Sequence, residues 1–534
     1  MTHPALHLHG AARGVTGSCF RIETAQGSVL IDCGMFQGPK TEKELNYRDF
    51  PFDPAGIAAV ILTHAHIDHS GLLPKLVRDG FRGRIHATPA TADLCGVMLP
   101  DSAHIQAIEV TQLNRRKARW HEEPVTPIYD GGDVDATLGR FVAQRYGDWF
   151  APLPGLRARF WNAGHMLGSA SVELEIAQGE RAPLRLAFSG DIGPAVKLLH
   201  PPPEGPQGLD LVLCESTYGG TDRPATTDEA RRARLADEVR AAMRPDGALL
   251  IPSFAVERAQ ELIADLMHLM DEGELPPIPV HVDSPLALKA TEIYHRHARE
   301  IENGRDFRAG LASRQLHFTQ TVEQSIALDR IDGFHIVIAA SGMCEAGRIR
   351  HRLRRWIASP AATVLFVGFQ AQGTLGRILV DGARSVRIQG DGYPVRARIR
   401  TLDLYSGHAD ATELQDWIAA RAPVRQGVIL THGEPEAMDA FAARLAARWP
   451  DLPVHRPGLD AAFALTPDGP RPLSGGAAPR IAPEAVGRLD WHNDAAKLVL
   501  DLHEAVEAAA DDRSRAALLR HLNRALEDWR ARHG

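Results

Sequence analysis

Residues 62–74, LTHAHIDHSGLLP, place His64, His66, Asp68 and His69 within six consecutive positions directly after an apolar run. That run, AAVILTH, has the length and branched content of a buried strand. His64 and His66 stand at i and i+2, so in extended geometry both imidazoles leave the chain on one side. Asp68 and His69 come where DHSGLLPKLV starts a helix and face the same centre. Such a cluster is costly unless a cation holds it; imidazole and carboxylate together suit zinc, with manganese second. A solvated histidine loop is the alternative, and other strand ends weigh against it. WNAGHMLGSAS places His165 in a glycine-flanked turn, LAFSGDIG ends on Asp191 and VILTHGE ends on His432. A carboxylate such as Asp191 can bridge two ions, the arrangement with which two-metal hydrolases activate water and clamp a phosphoryl displacement.

The surrounding chain sets the scale. Its 534 residues exceed one hydrophobic core, and 44% hydrophobic with 24% charged residues describe an ordinary globular protein. No apolar run is long enough for a bilayer, and the first residues, MTHPALHLHGAARG, lack the pattern of a secretory signal; the expectation is a cytoplasmic protein with no membrane partner. Cys19, Cys33, Cys95, Cys214 and Cys344 are odd in number and show no CxxC spacing, as for reduced packing thiols. A net charge of −7 leaves no global nucleic-acid footprint, so a polyanion must be met by a local basic surface or by metal ions.

The first third alternates strands (FRIET, SVLIDCG, RIHAT, LRLAFSGD, LDLVLCEST) with helical stretches, a layered α/β pattern with chemistry on strand-end loops. From about Thr226, helices alternate with short apolar runs (GALLIPSF, IPVHVDSP, FHIVIAASG, ATVLFVGFQ), indicating a second, mostly parallel sheet. QGVILTHGE then echoes the opening AVILTH, so the middle region reads as an insertion. TPDGPRPLSGGAAPRIAPEAVG reads as a linker. Beyond it, Leu498, Leu502, Val506 and Ala509, then Leu518, Leu522, Leu526 and Trp529, recur at helical spacing. That narrow stripe packs on the body or meets a second copy in a homodimer.

At the metal-ligating residues the sequence resembles the metallo-β-lactamase superfamily and, within it, the β-CASP nucleases of RNA processing, over roughly residues 5–465. The resemblance implies an αββα sandwich (1–208 and 384–465) interrupted by an α/β β-CASP domain (209–383), followed by a linker (466–488) and a two-helix tail (489–534). It assigns His64, His66 and His165 to a first zinc and Asp68, His69 and His432 to a second, with Asp191 shared. Asp32, in VLIDCG, matches an acidic residue that supports the metal loop and counts among the catalytic candidates. Glu215 in CESTYGG, His408 in YSGHAD and His432 in THGE match motifs A, B and C. His408 is then the general acid, oriented by Glu215, while Asp191 and Asp68 serve the attacking water; an imidazole donates a proton near neutral pH, and a carboxylate partner favours its charged form.

Three further segments, IPSFAVERAQEL, AASGMCEAGRIRHRL and GFQAQGTLGRIL, look like family signature loops. Ser253, Ser341, Gly342, Thr374 and Gly376 would offer hydroxyls and close amides to RNA phosphates, with Arg348, Arg350 and Arg377 adding charge. SGMCEAGR and DSPLALKATEIY are closer to bacterial and archaeal relatives of the eukaryotic pre-mRNA 3′-end endonuclease than to ribonuclease J. The expectation is a zinc-dependent ribonuclease acting on single-stranded RNA, from an end or internally, that grips backbone more than bases because aromatics are only 6%. A DNA nuclease, a small-molecule hydrolase on the same metal core and a non-catalytic RNA-binding subunit are the rival readings.

Overall fold

Burial alternates along Phe20–Thr24, where Phe20, Ile22 and Thr24 turn inward and Arg21 and Glu23 outward. This strand forms a hairpin with Gly27–Ile31, in which Thr24 pairs with Gly27 across a two-residue turn. The computed structural model describes residues 3–38, 40–117, 123–224, 226–371, 373–473, 480–481 and 511–533, with positions 502, 505 and 506. The first sheet has the order Gly469–Pro472, Ala462–Thr466, Ala5–Leu8, Phe20–Thr24, Gly27–Ile31, Ile57–Ile61, Arg84–Ala87, Phe141–Ala143. The second runs Val454–His455, Val424–Thr431, Leu209–Glu215, Arg181–Phe188, Ala170–Gln178, Leu156–Asn162, Trp149–Leu153.

The two sheets share one apolar core, with Leu6, Ile22, Val29 and Ile61 packed against Val172, Leu174, Leu186 and Leu211. Helices cover the outer faces: Leu73–Arg78 and Pro89–Lys117 on the first sheet, Ala411–Ala419 and Pro435–Arg448 on the second. This is the expected αββα sandwich. A third sheet, Leu316–Phe318, Val280–Asp283, His335–Ala339, Ala248–Pro252, Thr363–Phe366, Arg398–Thr401, is parallel throughout. Its strands ALLIP and HIVIA are buried at every position because helices pack on both faces.

The sheets correct three borders. Leu209–Glu215 lies inside the second sandwich sheet, parallel to Arg181–Phe188 and to Val424–Thr431, so the insertion starts after Glu215 rather than at 209. Arg398–Thr401 closes the edge of the third sheet, and the return follows it rather than starting at 384. Composition cannot show either border, because which sheet a strand joins is a long-range pairing. The stretch Pro467, Asp468, Gly469, expected to open a linker at 466, is the turn of the hairpin Ala462–Thr466/Gly469–Pro472. Most of the expected linker and of the first tail helix lies outside the described residues; the second tail helix is Asp512–His533. Among the described residues no helix is long and apolar enough to cross a membrane. All five cysteines are free and buried.

Register brings the motif loops to one rim. Asn162 pairs with Ala170 and Phe188 with Val172, so the His165 turn and the Asp191 loop leave the second sheet at the same end. Glu215 pairs with Thr431, which sets the carboxylate beside His432. The His64 loop leaves Ile57–Ile61 of the facing sheet.

Candidate metal centre

Four of the five histidines at this rim have Nδ1 occupied behind the site. His69 Nδ1 donates to Asp32 Oδ2 at 2.7 Å and His165 Nδ1 to the Gly407 carbonyl at 2.7 Å. The Thr63 hydroxyl donates to Asp32, so His64 Nδ1 donates to that hydroxyl oxygen at 3.1 Å. The Thr217 hydroxyl donates to the carbonyl of His432, whose Nδ1 donates back at 3.1 Å. Each Nε2 is thereby left as a lone pair facing the centre, the role of partners behind a metal ligand. His66 instead turns Nδ1 inward, 3.2 Å from His64 Nε2 and 3.1 Å from His165 Nε2.

Asp191 stands between two groups. Its Oδ2 is 3.6 Å from His64 Nε2 and 3.7 Å from His165 Nε2; its Oδ1 is 3.2 Å from His69 Nε2 and 3.6 Å from His432 Nε2. Asp68 Oδ2 approaches His432 at 3.6 Å. Thus His64, His66, His165 and Asp191 form one set of converging donor atoms, and Asp68, His69 and His432 another. Asp191 Oδ1 is buried without a hydrogen-bond partner, and lone pairs of neighbouring imidazoles confront one another. Those are the conditions a cation relieves, so the residues present fit metal ions.

The electrostatics agree. Burial pushes His64 and His165 well below the ordinary histidine value, favouring the neutral form that ligates. Burial opposes charge on Asp191 too, but His432 and His69 outweigh it and hold the carboxyl well below its usual range. At His69 the same contest goes to the carboxylates: burial lowers, Asp191 and Asp32 raise, and the result lies well above the ordinary value. The centre as a whole attracts positive charge.

His408 lies beside it, with Nδ1 3.1 Å from Glu215 Oε1 and Nε2 3.9 Å from Asp191 Oδ2. Glu215 is fully buried and held by the Ile192 amide at 2.7 Å and the Thr217 amide at 3.3 Å. Asp32 stands behind the centre at a φ of 61°, where it accepts from Ser18, Thr63 and His69 and so braces the His69 ring.

The expected phosphate contacts are mostly engaged within the inserted domain. Arg348 is bound to Asp283 at 3.0 Å and Arg377 to Asp381 at 2.8 Å; Arg350 donates to the Glu345 carbonyl. Thr374 caps the helix Leu375–Val380, and Ser341 accepts from the Glu345 and Ala346 amides. Ser253 donates to the Phe254 carbonyl. Gly342 and Gly376 serve close packing: a Cβ would lie 2.9 Å from the Phe254 ring and 1.8 Å from Gln370 Oε1 respectively. A basic run in sequence does not reveal the carboxylates that meet it across the fold.

Sequence reasoning missed other groups near the centre. The Phe254 ring lies 6.2 Å from the His66 ring, and Tyr218 lies 6.4 Å from His408 and 5.7 Å from Phe369. Buried Lys197 pairs with Glu257 at 2.5 Å and also donates to the His165 carbonyl, tying the inserted domain to a ligand loop. Phe254 and Glu257 stand in the quoted IPSFAVERAQEL, but nothing in the spacing singled them out.

A two-sheet sandwich with histidines and aspartates converging at its strand ends defines a metallo-hydrolase. Residues 12–135 match the model of the metallo-β-lactamase superfamily, 259–379 the β-CASP domain, and 392–455 a Zn-dependent metallo-hydrolase RNA specificity domain. The chain is 38% identical over 460 residues to Ribonuclease TTHA0252 of Thermus thermophilus, covering 84% of this chain and 97% of that protein. It is 31% identical to the transcription termination factor FttA of Thermococcus kodakarensis, over 80% of this chain and 66% of that one. This chain belongs to the β-CASP ribonuclease family of the metallo-β-lactamase superfamily, and it is a metal-dependent hydrolase.

Proposed function

We propose that the protein hydrolyses phosphodiester bonds of single-stranded RNA with two zinc ions, at the junction of the sandwich and the inserted domain. The observation that carries this reading is His408 on Glu215, set beside Asp191 where a general acid is needed. His64, His66 and His165 would hold one ion, Asp68, His69 and His432 the other, and Asp191 both; the same donors accept manganese. When bound, such ions lower the pKa of water and neutralise charge on phosphoryl oxygens. The chain's own residues do the rest. Asp191 and Asp68 orient the water as acceptors, and His408 gives its proton to the leaving 3′ oxygen while Glu215 fixes its ring. The relative named as a ribonuclease supports RNA as substrate.

The test is product analysis on end-labelled single-stranded RNA beside a DNA strand of matched sequence. RNA cleavage that falls about 10²–10⁴-fold in His408→Ala, with metal content unchanged, is expected. Full activity of that variant, or cleavage of DNA in preference to RNA, refutes the assignment.

A further inference from the structure

Arg258 opens the helix Arg258–Asp271 and is only 6% exposed. Two other buried arginines of the inserted domain sit against close carboxylates: Arg231 meets Asp265 at 2.8 Å and Asp228 at 2.6 Å, and Arg352 meets Asp329 at 2.7 Å and Asp283 at 3.3 Å. Arg258 has no carboxylate so close. Its Nε is buried without a hydrogen-bond partner, and the nearest carboxylate oxygen, Glu257 Oε2, stands 3.9 Å away. That carboxylate is already neutralised by Lys197 at 2.5 Å. A guanidinium taken out of water with so little compensation is costly, and such a cost persists where an anion arrives later.

Its surroundings say which anion. The guanidinium carbon lies 5.4 Å from the Phe254 ring centre, and that ring in turn lies 6.2 Å from the His66 ring. On the other side is Gly368, where a Cβ would fall 2.1 Å from Arg258 Nη1, so only glycine leaves room for the group. The next residue, Phe369, packs on Tyr218, which faces His408. The cation therefore sits on the inserted-domain side of the centre, flanked by the half-buried Phe254 ring on one side and by Gly368 on the other. Its planar fork matches a phosphate with two parallel hydrogen bonds.

We propose that Arg258 holds a backbone phosphate of the RNA strand adjacent to the one cleaved; this rests on the ribonuclease reading above. Phe254 flanks the guanidinium, and Gly368 keeps its place open. Of the arginines expected to meet phosphate, Arg348 is held by buried Asp283 and Arg377 pairs with Asp381 on the surface, whereas Arg258 stands nearer the centre.

The experiment measures binding of a fluorescent single-stranded RNA to metal-loaded protein in a His408→Ala background, across salt concentrations, with gels showing the RNA intact. Arg258→Ala and Arg258→Gln are each expected to weaken binding about tenfold or more and to lower the slope of log affinity against log salt by about 0.7, the signature of one lost phosphate contact on a single strand. Arg258→Lys keeps the slope and recovers part of the affinity. A purely structural role would lower the melting temperature without moving the slope. Unchanged slopes in the folded variants overturn the proposal and leave the ribonuclease reading intact; a parent protein that binds and cleaves no RNA overturns both.

Discussion

Asp32→Asn replaces one oxygen by an NH₂ group behind the metal loop. Asparagine tolerates the φ of 61° at this position, so the backbone has no reason to move. The retained oxygen still accepts from the Thr63 amide, now at 2.8 Å. The new NH₂ stands where Ser18 Oγ, Thr63 Oγ1 and His69 Nδ1 all donate, at 3.2, 2.9 and 2.7 Å. The two hydroxyls can rotate away. His69 can satisfy the amide only by carrying its proton on Nε2, the atom 3.2 Å from Asp191 Oδ1 and turned to the centre. A ligand with the wrong tautomer and no carboxylate behind it costs about 10–100-fold in metal affinity, or about 1.4–2.7 kcal/mol. Competition with a chromophoric chelator measures it directly, with a thermal melt of the metal-free proteins as control. If Asp32→Asn holds zinc within twofold of the parent, the argument that Asp32 sets the His69 tautomer is wrong.

Three other substitutions probe the frame around the centre. Burial, with Glu257 beside it, pushes the Glu261 carboxyl from an ordinary 4.5 up to about 8, so its stabilising contribution is full below pH 4.5 and is lost as pH rises to about 8. Glu261→Gln should therefore match the parent in denaturant unfolding near pH 4.5 and exceed it by up to about 4 kcal/mol near pH 8; equal curves at both pH values contradict this. Lys197→Met leaves the Glu257 carboxylate buried with only Arg258, 3.9 Å away, to offset it, which should cost up to about 3 kcal/mol, and adding Glu257→Gln should recover most of it in a double-mutant cycle. Gly407→Ala sets a Cβ 3.0 Å from His165 Cε1 and 3.2 Å from its Nδ1, tight enough to displace the ring by a few tenths of an ångström. About a tenfold loss of RNA cleavage with little change in melting temperature is expected.

By itself the sequence marked the candidate donors and the kind of strand that carries each, and the family resemblance sorted them into two sets. Local spacing is enough to single out candidates: apolar runs ending in His64, Asp191 and His432 need only period and chemistry to be read, whereas the proton-donor role proposed for His408 came through the family resemblance of its motif. Tertiary structure decided everything that depends on pairing between distant segments. It placed Leu209–Glu215 in the sandwich and Arg398–Thr401 in the inserted sheet, because strand partnership is a long-range choice that composition does not encode. It named the partner of Asp32, read from the sequence only as a support of the metal loop and a catalytic candidate: its carboxylate lies 2.7 Å from His69 Nδ1. It also separated arginines by their partners: Arg348 and Arg377 find carboxylates, whereas Arg258, inconspicuous in AVERAQEL, is left buried beside Phe254 with its charge largely uncompensated. A side chain's charge is written in the sequence; whether that charge is already matched depends on what the folded chain brings against it.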